Sequence, residues 1–247
     1  MNPQETSKTL LLLAAQGDPE KAREIEQYLD LAKYPAGGIV VTEVKQPGLT
    51  GEAVRAAIRH NEAVQIPDGI YLVLNDGKAI KTYKPGEVTE DDKARCTGVA
   101  VKLGEKSICV DLYNMADGEE ITLTSREDKT GWDGYKDNAL DAGADWDGEG
   151  NTKHLLNVGL NPKIVLDRGQ FIPSVAQWRF ICLFRKELNQ ALAEVGGDEL
   201  TGWYWTSTEY SAATAWGLAL YLGYGDMSYY TKASTRNRVR AVSAFII

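Results

Sequence analysis

The stretch Gly202–Ile247, GWYWTSTEYSAATAWGLALYLGYGDMSYYTKASTRNRVRAVSAFII, organises the reading of the whole chain. It holds three of the six tryptophans (Trp203, Trp205, Trp216) and six of the twelve tyrosines (Tyr204, Tyr210, Tyr221, Tyr224, Tyr229, Tyr230). Small residues and turn formers lie between them, and acidic residues are scarce. Trp216, Leu218, Leu220 and Leu222 alternate with Gly217, Ala219 and Tyr221. Period-two alternation predicts a strand with one buried and one open face. Val239, Val242 and Phe245–Ile247 predict a closing strand that ends in the core. The segment between, Gly223 to Asn237, is rich in Tyr, Ser, Gly, Thr and Asn. Binding loops use that composition, because Tyr supplies rigid contact area and the small residues supply adaptable hydrogen bonding.

Upstream, Ser174-Val-Ala-Gln177 reads as a capping box, in which the Ser and Gln side chains satisfy each other's free amides. Trp178, Ile181, Cys182, Leu188, Leu192 and Val195 form the apolar stripe of the helix that follows, and Gly196-Gly197 ends it. Two hairpins are expected earlier. Gly69–Leu74 and Lys78–Tyr83 flank the turn Asn75-Asp76-Gly77, and Thr97–Leu103 and Lys106–Leu112 flank Gly104-Glu105. Asn114–Asn151 is polar and rich in Asp and Gly, with isolated Trp132, Tyr135 and Trp146. It is expected to be a long loop with one helical turn, tied down by its aromatics or kept for function.

Residues 1–66 predict a separate mixed α/β module. Thr6–Gln16 and Pro19–Lys33 are helical, with Asp18 as N-cap. Ile39–Val44 is β-rich, and Thr50 is expected to cap a third helix, Gly51–Asn61. Two readings stand for this part: a docking or oligomerisation module, or an N-terminal layer of one larger domain. Pro67-Asp68 marks the expected boundary.

At 247 residues the chain can bury a sizeable core. A net charge of −8 disfavours nucleic acid, which needs clustered Lys and Arg. Arg236, Arg238 and Arg240 are read as local charge balance. The longest apolar run, Leu10–Ala15, is too short to span a membrane. Lys8 is a thin basic region, and Gln16-Gly17-Asp18-Pro19 is a helix break rather than a cleavage site, so neither a secretory signal nor membrane insertion is expected. Cys96, Cys109 and Cys182 form no C-x-x-C and are expected to be small buried hydrophobes. With them and only His60 and His154 available, no structural zinc site is expected.

The order of features from Ile172 to Phe245 carries a family resemblance: "IPSVAQW", a helix ending in "GG", "WYWTSTEY", "AW", a hairpin and a terminal "VRAV". It resembles the C-type-lectin-like domains of bacterial surface and phage proteins, a fold shared with formylglycine-generating enzymes. "GIYLVLNDG" and "TGVAVKLGEKSICVDL" look like the early strands of that group, so the resemblance covers residues 67–247. It implies an α+β, C-type-lectin-like domain behind the N-terminal module.

Within the group, the chain is most similar to the variable proteins of diversity-generating retroelements, whose templates rewrite Asn codons at adenines into Ser, Thr, Tyr, Ala, Gly, Asp and Arg. The resemblance implies sixteen candidate diversified, ligand-binding positions. They are Tyr210, Ala212, Ala213, Thr214, Gly217, Ala219, Tyr221, Gly223, Tyr224, Ser228, Tyr229, Tyr230, Ala233, Ser234, Thr235 and Asn237. Trp216, Leu218, Leu220 and Val239 would be the invariant scaffold. The implied partner is a protein or glycan on another surface, bound without a cofactor, and several copies of the chain would raise avidity.

Catalysis is disfavoured. Formylglycine-generating enzymes need cysteines near the chain end, and none follows Cys182. Neither His60 nor His154 accompanies a nucleophile motif. Asp145–Asn151 has the acidic spacing of an EF-hand, but its twelfth position is Leu156 where a Glu is needed, so it reads as an acidic surface loop. The tripeptides of calcium-dependent sugar lectins are absent. Trp203, Trp205 and Trp216 are expected in the core, with Ser207 and Thr208 satisfying backbone groups beside them. Tyr221, Tyr224, Tyr229 and Tyr230 are the better ligand candidates, or the contacts of a permanent subunit interface.

Overall fold

The computed structural model describes residues 49–50, 66–75, 79–220 and 225–245. The expected helices Thr6–Gln16, Pro19–Lys33 and Gly51–Asn61, the run Ile39–Val44 and His60 lie outside them. Among the described residues, no helix is long and apolar enough to cross a membrane.

Both predicted hairpins form. The strands β1 (Leu49–Thr50), β2 (Gly69–Leu74), β3 (Ala79–Thr82), β4 (Cys96–Leu103), β5 (Lys106–Asn114), β6 (Gln170–Phe171) and β10 (Arg240–Ser243) make one antiparallel sheet in the order β1-β3-β2-β4-β5-β10-β6. Thr50 pairs with Ala79 in β1, and the helix it is expected to cap lies outside the described residues. The register sets Leu72, Val99, Val110, Val242 and Phe171 in one row across five strands. All five are buried in the main core. The C-terminal β10 lies inside the sheet, with Val242 in the main core as expected, while Ile246 and Ile247 lie outside the described residues. Gly98 is required where β4 meets β5, since a Cβ there would lie 2.5 Å from Cys109 Sγ and 2.9 Å from the Val110 carbonyl oxygen.

The turn between β3 and β4 carries a short helix, α1 (Glu90–Arg95), closed by a Thr89/Asp92 capping box. Asp92 also receives Lys81 Nζ. The Asn114–Asn151 region holds more helix than predicted. After a 3-10 turn (Ala116–Gly118) come α2 (Ala139–Ala144) and α3 (Gly148–Val158). Gly148, Gly150 and Asn151 make α3 a poor helix by propensity, and its tertiary contacts override that preference. Asp147 caps it by accepting from Gly150 N. Asp145, expected on an acidic surface loop, is buried and accepts from Asn151 Nδ2 (2.7 Å) and Thr208 Oγ1 (2.6 Å). The acidic alternation is thus a helix cap and a buried anchor.

The Ser174 capping box is present, with Ser174 N donating to Gln177 Oε1. The single predicted helix is two: α4 (Val175–Leu183) and α5 (Arg185–Val195), broken at Phe184 (φ −111°, ψ 15°). Gly196 ends α5 in the left-handed region. The core formed by α4 and α5 joins the large sheet to residues of a second one through Trp178, Ile181, Leu188, Leu192, Tyr204, Trp216 and Leu218. The three cysteines are free and buried, as expected, and burial pushes the Cys109 thiol up to about 12.

Candidate functional site

The second sheet holds the stretch that opened the sequence reading. Its strands β7 (Trp203–Glu209), β8 (Thr214–Ala219) and β9 (Asp226–Thr231) run antiparallel, with β8 in the middle and β9 at an edge. The register sets Trp216 opposite Tyr229, Gly217 opposite Ser228 and Ala215 opposite Tyr230. The chain therefore alternates as predicted, but both faces of β8 are covered.

One face carries Trp216 and Leu218, buried in the main core. Trp216 Nε1 donates to the Lys136 carbonyl at 2.8 Å. Outside Trp216 lie Tyr229 and Tyr210, stacked on each other at 4.1 Å and 15°. The other face, expected open, carries Ala215, Gly217 and Ala219 and is closed by a separate apolar cluster. Ile121, Leu123, Leu155, Trp205 and Val239 form that cluster, with Tyr230 packed against it. Tyr230 meets Trp203 edge-on at 5.4 Å. A Cβ on Gly217 would come within 3.1 Å of Tyr230 Cδ2 and 3.2 Å of Asn237 Nδ2. The small residues of β8 thus make room for the ring of Tyr230 rather than for solvent.

The sixteen candidate positions consequently divide. Gly217, Ala219 and Asn237 are buried, which corrects the open-face expectation for them. Tyr210, Ala212, Ala213, Thr214, Ser228, Tyr230 and Thr235 are half-buried. Tyr229, 50% exposed, and Ala233 and Ser234 are open to solvent. Tyr221, Gly223 and Tyr224 lie outside the described residues. The scaffold positions Trp216, Leu218, Leu220 and Val239 are all buried, at 0–5% exposure. Main-chain bonds hold much of the surface: Ala212 O accepts from Asp128 N, Ala213 O from Lys232 N, and Thr231 O from Thr235 N.

Trp205 and Trp216 are in the core as predicted, while Trp203 is half-buried. Thr208 Oγ1 accepts from Val175 N, but Ser207 Oγ has no hydrogen-bond partner. The arginines form no common patch. Arg236 is exposed, Arg238 donates to the Thr201 carbonyl, and Arg240 is buried and donates to the Asp198 carbonyl.

Behind the turn between β7 and β8 is a buried charge cluster that sequence reasoning missed. Glu209, the last residue of β7, and Lys232, just past β9, are fully buried and joined through Glu209 Oε1. His154, on α3, places Nε2 2.9 Å from Asp128 Oδ2 and 3.3 Å from Glu209 Oε2. Tyr135 Oη donates to Asp128 Oδ2 at 2.6 Å, and Thr130 N donates to Oδ1 at 2.7 Å. Trp132 stacks on the His154 ring at 4.0 Å and 14°. Burial pushes the Glu209 carboxyl up, against the opposing pull of Lys232. Burial also works on Asp128, but donors from Tyr135, Thr130 and His154 outweigh it and hold that carboxyl well below the usual range. Burial and the Asp128 charge push the Tyr135 phenol up. No local spacing marks these residues, because loop, helix and two strands bring them together from distant positions. The isolated aromatics Trp132 and Tyr135 were the available signal.

No family model matches the chain, and no curated protein matches it. A solved fimbrial protein from Bacteroides ovatus ATCC 8483 is similar in structure, with a TM-score of 0.52 at 12% identity. The match covers 72% of this chain and 48% of that one, so the chain spans about half the length of its structural neighbour. At this identity the likeness concerns the fold: a mixed α and β architecture built on antiparallel sheets.

Proposed function

We propose that the chain is a non-enzymatic binding domain that displays the surface around Tyr210, Ser228, Tyr229, Ala233 and Ser234 to a protein or glycan on another surface. The observation that carries this is the division between scaffold and display. Trp216, Leu218, Leu220 and Val239 are buried, whereas Tyr229, Ala233 and Ser234 face solvent beside them. A large aromatic with half its surface open, stacked on a second tyrosine, is the kind of rigid amphipathic anchor that interfaces use. Main-chain bonds around Ala212, Ala213 and Thr231 hold the shape without help from the variable side chains. In this proposal the domain is C-type-lectin-like, a retroelement diversifies the display positions, and residues 1–66 tether or oligomerise it.

The test has two parts. Sequencing the gene's 3′ end across a population of the source organism is expected to find variation concentrated at the solvent-facing codons. Gly217, Ala219 and Asn237 are expected to vary least among the sixteen, because their side chains are enclosed. A 3′ end as uniform as the rest removes diversification. Loss of ligand capture in a Tyr229→Ser, Ser234→Asp protein that still unfolds cooperatively supports display, and undiminished capture removes this face as the site.

A second reading is a structural subunit of a pilus or virion. It is favoured by the fold likeness to a fimbrial protein and by β9 lying at a sheet edge. An open edge can accept a strand from a neighbouring subunit. It predicts that the same substitutions abolish assembly rather than ligand capture.

A further inference from the structure

We infer that Asp128, His154 and Glu209 form a binding site for a divalent transition-metal ion of the zinc class. His154 Nε2 lies 2.9 Å from Asp128 Oδ2 and 3.3 Å from Glu209 Oε2, and the three donor atoms fall within 4.8 Å of one another. A tetrahedral ion with bonds of about 2.0–2.1 Å sets its ligands about 3.3 Å apart. One separation matches that value, one is about 0.4 Å shorter, and the third lies within 4.8 Å, so the three donors already converge on one point.

A second observation points to a missing ligand. Glu209 is fully buried, yet among the described residues its Oε2 has no hydrogen-bond partner, while Lys232 occupies Oε1. A buried carboxylate oxygen facing an imidazole nitrogen without a bond is a costly arrangement that a cation would resolve. One imidazole and two carboxylates suit zinc, which accepts mixed nitrogen and oxygen donors and leaves a fourth position for water.

The surroundings are those of an oriented ligand set. Tyr135 and Thr130 hold the Asp128 carboxylate, and Trp132 fixes the His154 ring plane. Such outer partners tune both direction and affinity at metal sites. Lys232 lowers the affinity but leaves the ligating oxygen free. With His154 neutral, the two carboxylates and one ammonium carry one net negative charge, which favours a cation there. The ligands come from the 125–137 segment, α3 and the end of β7. That segment also contacts the display region, through Asp128 N to Ala212 O and the Lys136 carbonyl to Trp216 Nε1. A bound ion would therefore clamp the rim of the display surface.

The test uses the full chain after chelator treatment, titrated at about pH 7.5 with zinc chloride and with cobalt chloride in separate runs. Calorimetry and tryptophan fluorescence are the readouts. One equivalent is expected to bind, with a rise in melting temperature and, for cobalt, quenching of Trp132. His154→Ala is expected to abolish the event, and Asp128→Asn to weaken it at least about ten-fold. If His154→Ala does not fold, His154→Gln retains bulk against Trp132 and replaces it. Absence of saturable binding to the wild-type chain overturns the inference. So does binding that survives unchanged in the histidine variant.

Discussion

Strands β8 and β9 are neighbours in one register, yet they tolerate change very differently. β8 has a partner on each side, and both its faces are covered, by the main core and by the cluster around Trp205. Among the described residues β9 has one partner, and each of its own residues is half-buried or exposed. The difference shows that size alternation along a strand records packing, whereas freedom to vary depends on position within the sheet. Gly217 and Ser228 sit directly opposite each other, but Gly217 is buried against Tyr230 and Asn237 whereas Ser228 is half-buried.

The comparison can be broken most severely at the Trp216–Tyr229 pair. Trp216→Ala is expected to cost about 3–5 kcal/mol, because it opens a cavity in the core and leaves the Lys136 carbonyl without its donor. Urea denaturation measures it. Gly217→Val adds methyls against Tyr230 and Asn237 and is expected to cost about 1–3 kcal/mol. An unchanged midpoint would show that this face can open.

A change in α1, beside the large sheet, sharpens the contrast by giving the scaffold a pH signature. Burial works against the Asp92 carboxylate, but the bonds from Lys81 and Thr89 prevail, and its folded-state pKa lies below the ordinary carboxylate value. Its contribution is thus fully present above about pH 5 and is lost as pH falls through about 3.9 and below. Asp92→Asn is expected to cost about 1 kcal/mol at neutral pH and to flatten the acid side of the stability curve. A curve as steep as that of the wild type would assign the acid sensitivity elsewhere.

Smaller effects are expected on β9. Tyr229→Ser removes the stack on Tyr210 and the edge contact with Trp216, for about 0.5–1.5 kcal/mol. Ser228→Asn, Ala233→Ser and Ser234→Asn are each expected to stay within about 0.5 kcal/mol of wild type, read as melting temperature. The small residues here are thus expected to change at little cost, while Tyr229 is expected to carry some of the sheet's stability.

Local signals were legible wherever one segment satisfies its own backbone or turns on itself. The Ser174/Gln177 box, the Gly196 stop, both hairpins and the strand character of β8 follow from neighbouring residues alone. The break at Phe184 was not legible, since the apolar stripe continues across it. Helix α3 was hidden by its glycines, and the EF-hand-like spacing of Asp145 concealed an anchor for Thr208.

By itself the sequence determined periodicities, caps, turns and the set of small residues near the C-terminus, because these depend on contacts a few residues apart. Only the tertiary structure decided which side of an alternating strand meets solvent. Tyr230 and Asn237 arrive over Gly217 from other segments, and a period of two carries no information about what lies across the gap. For the same reason Asp128, His154, Glu209 and Lys232 became a site only once loop, helix and strand ends converged.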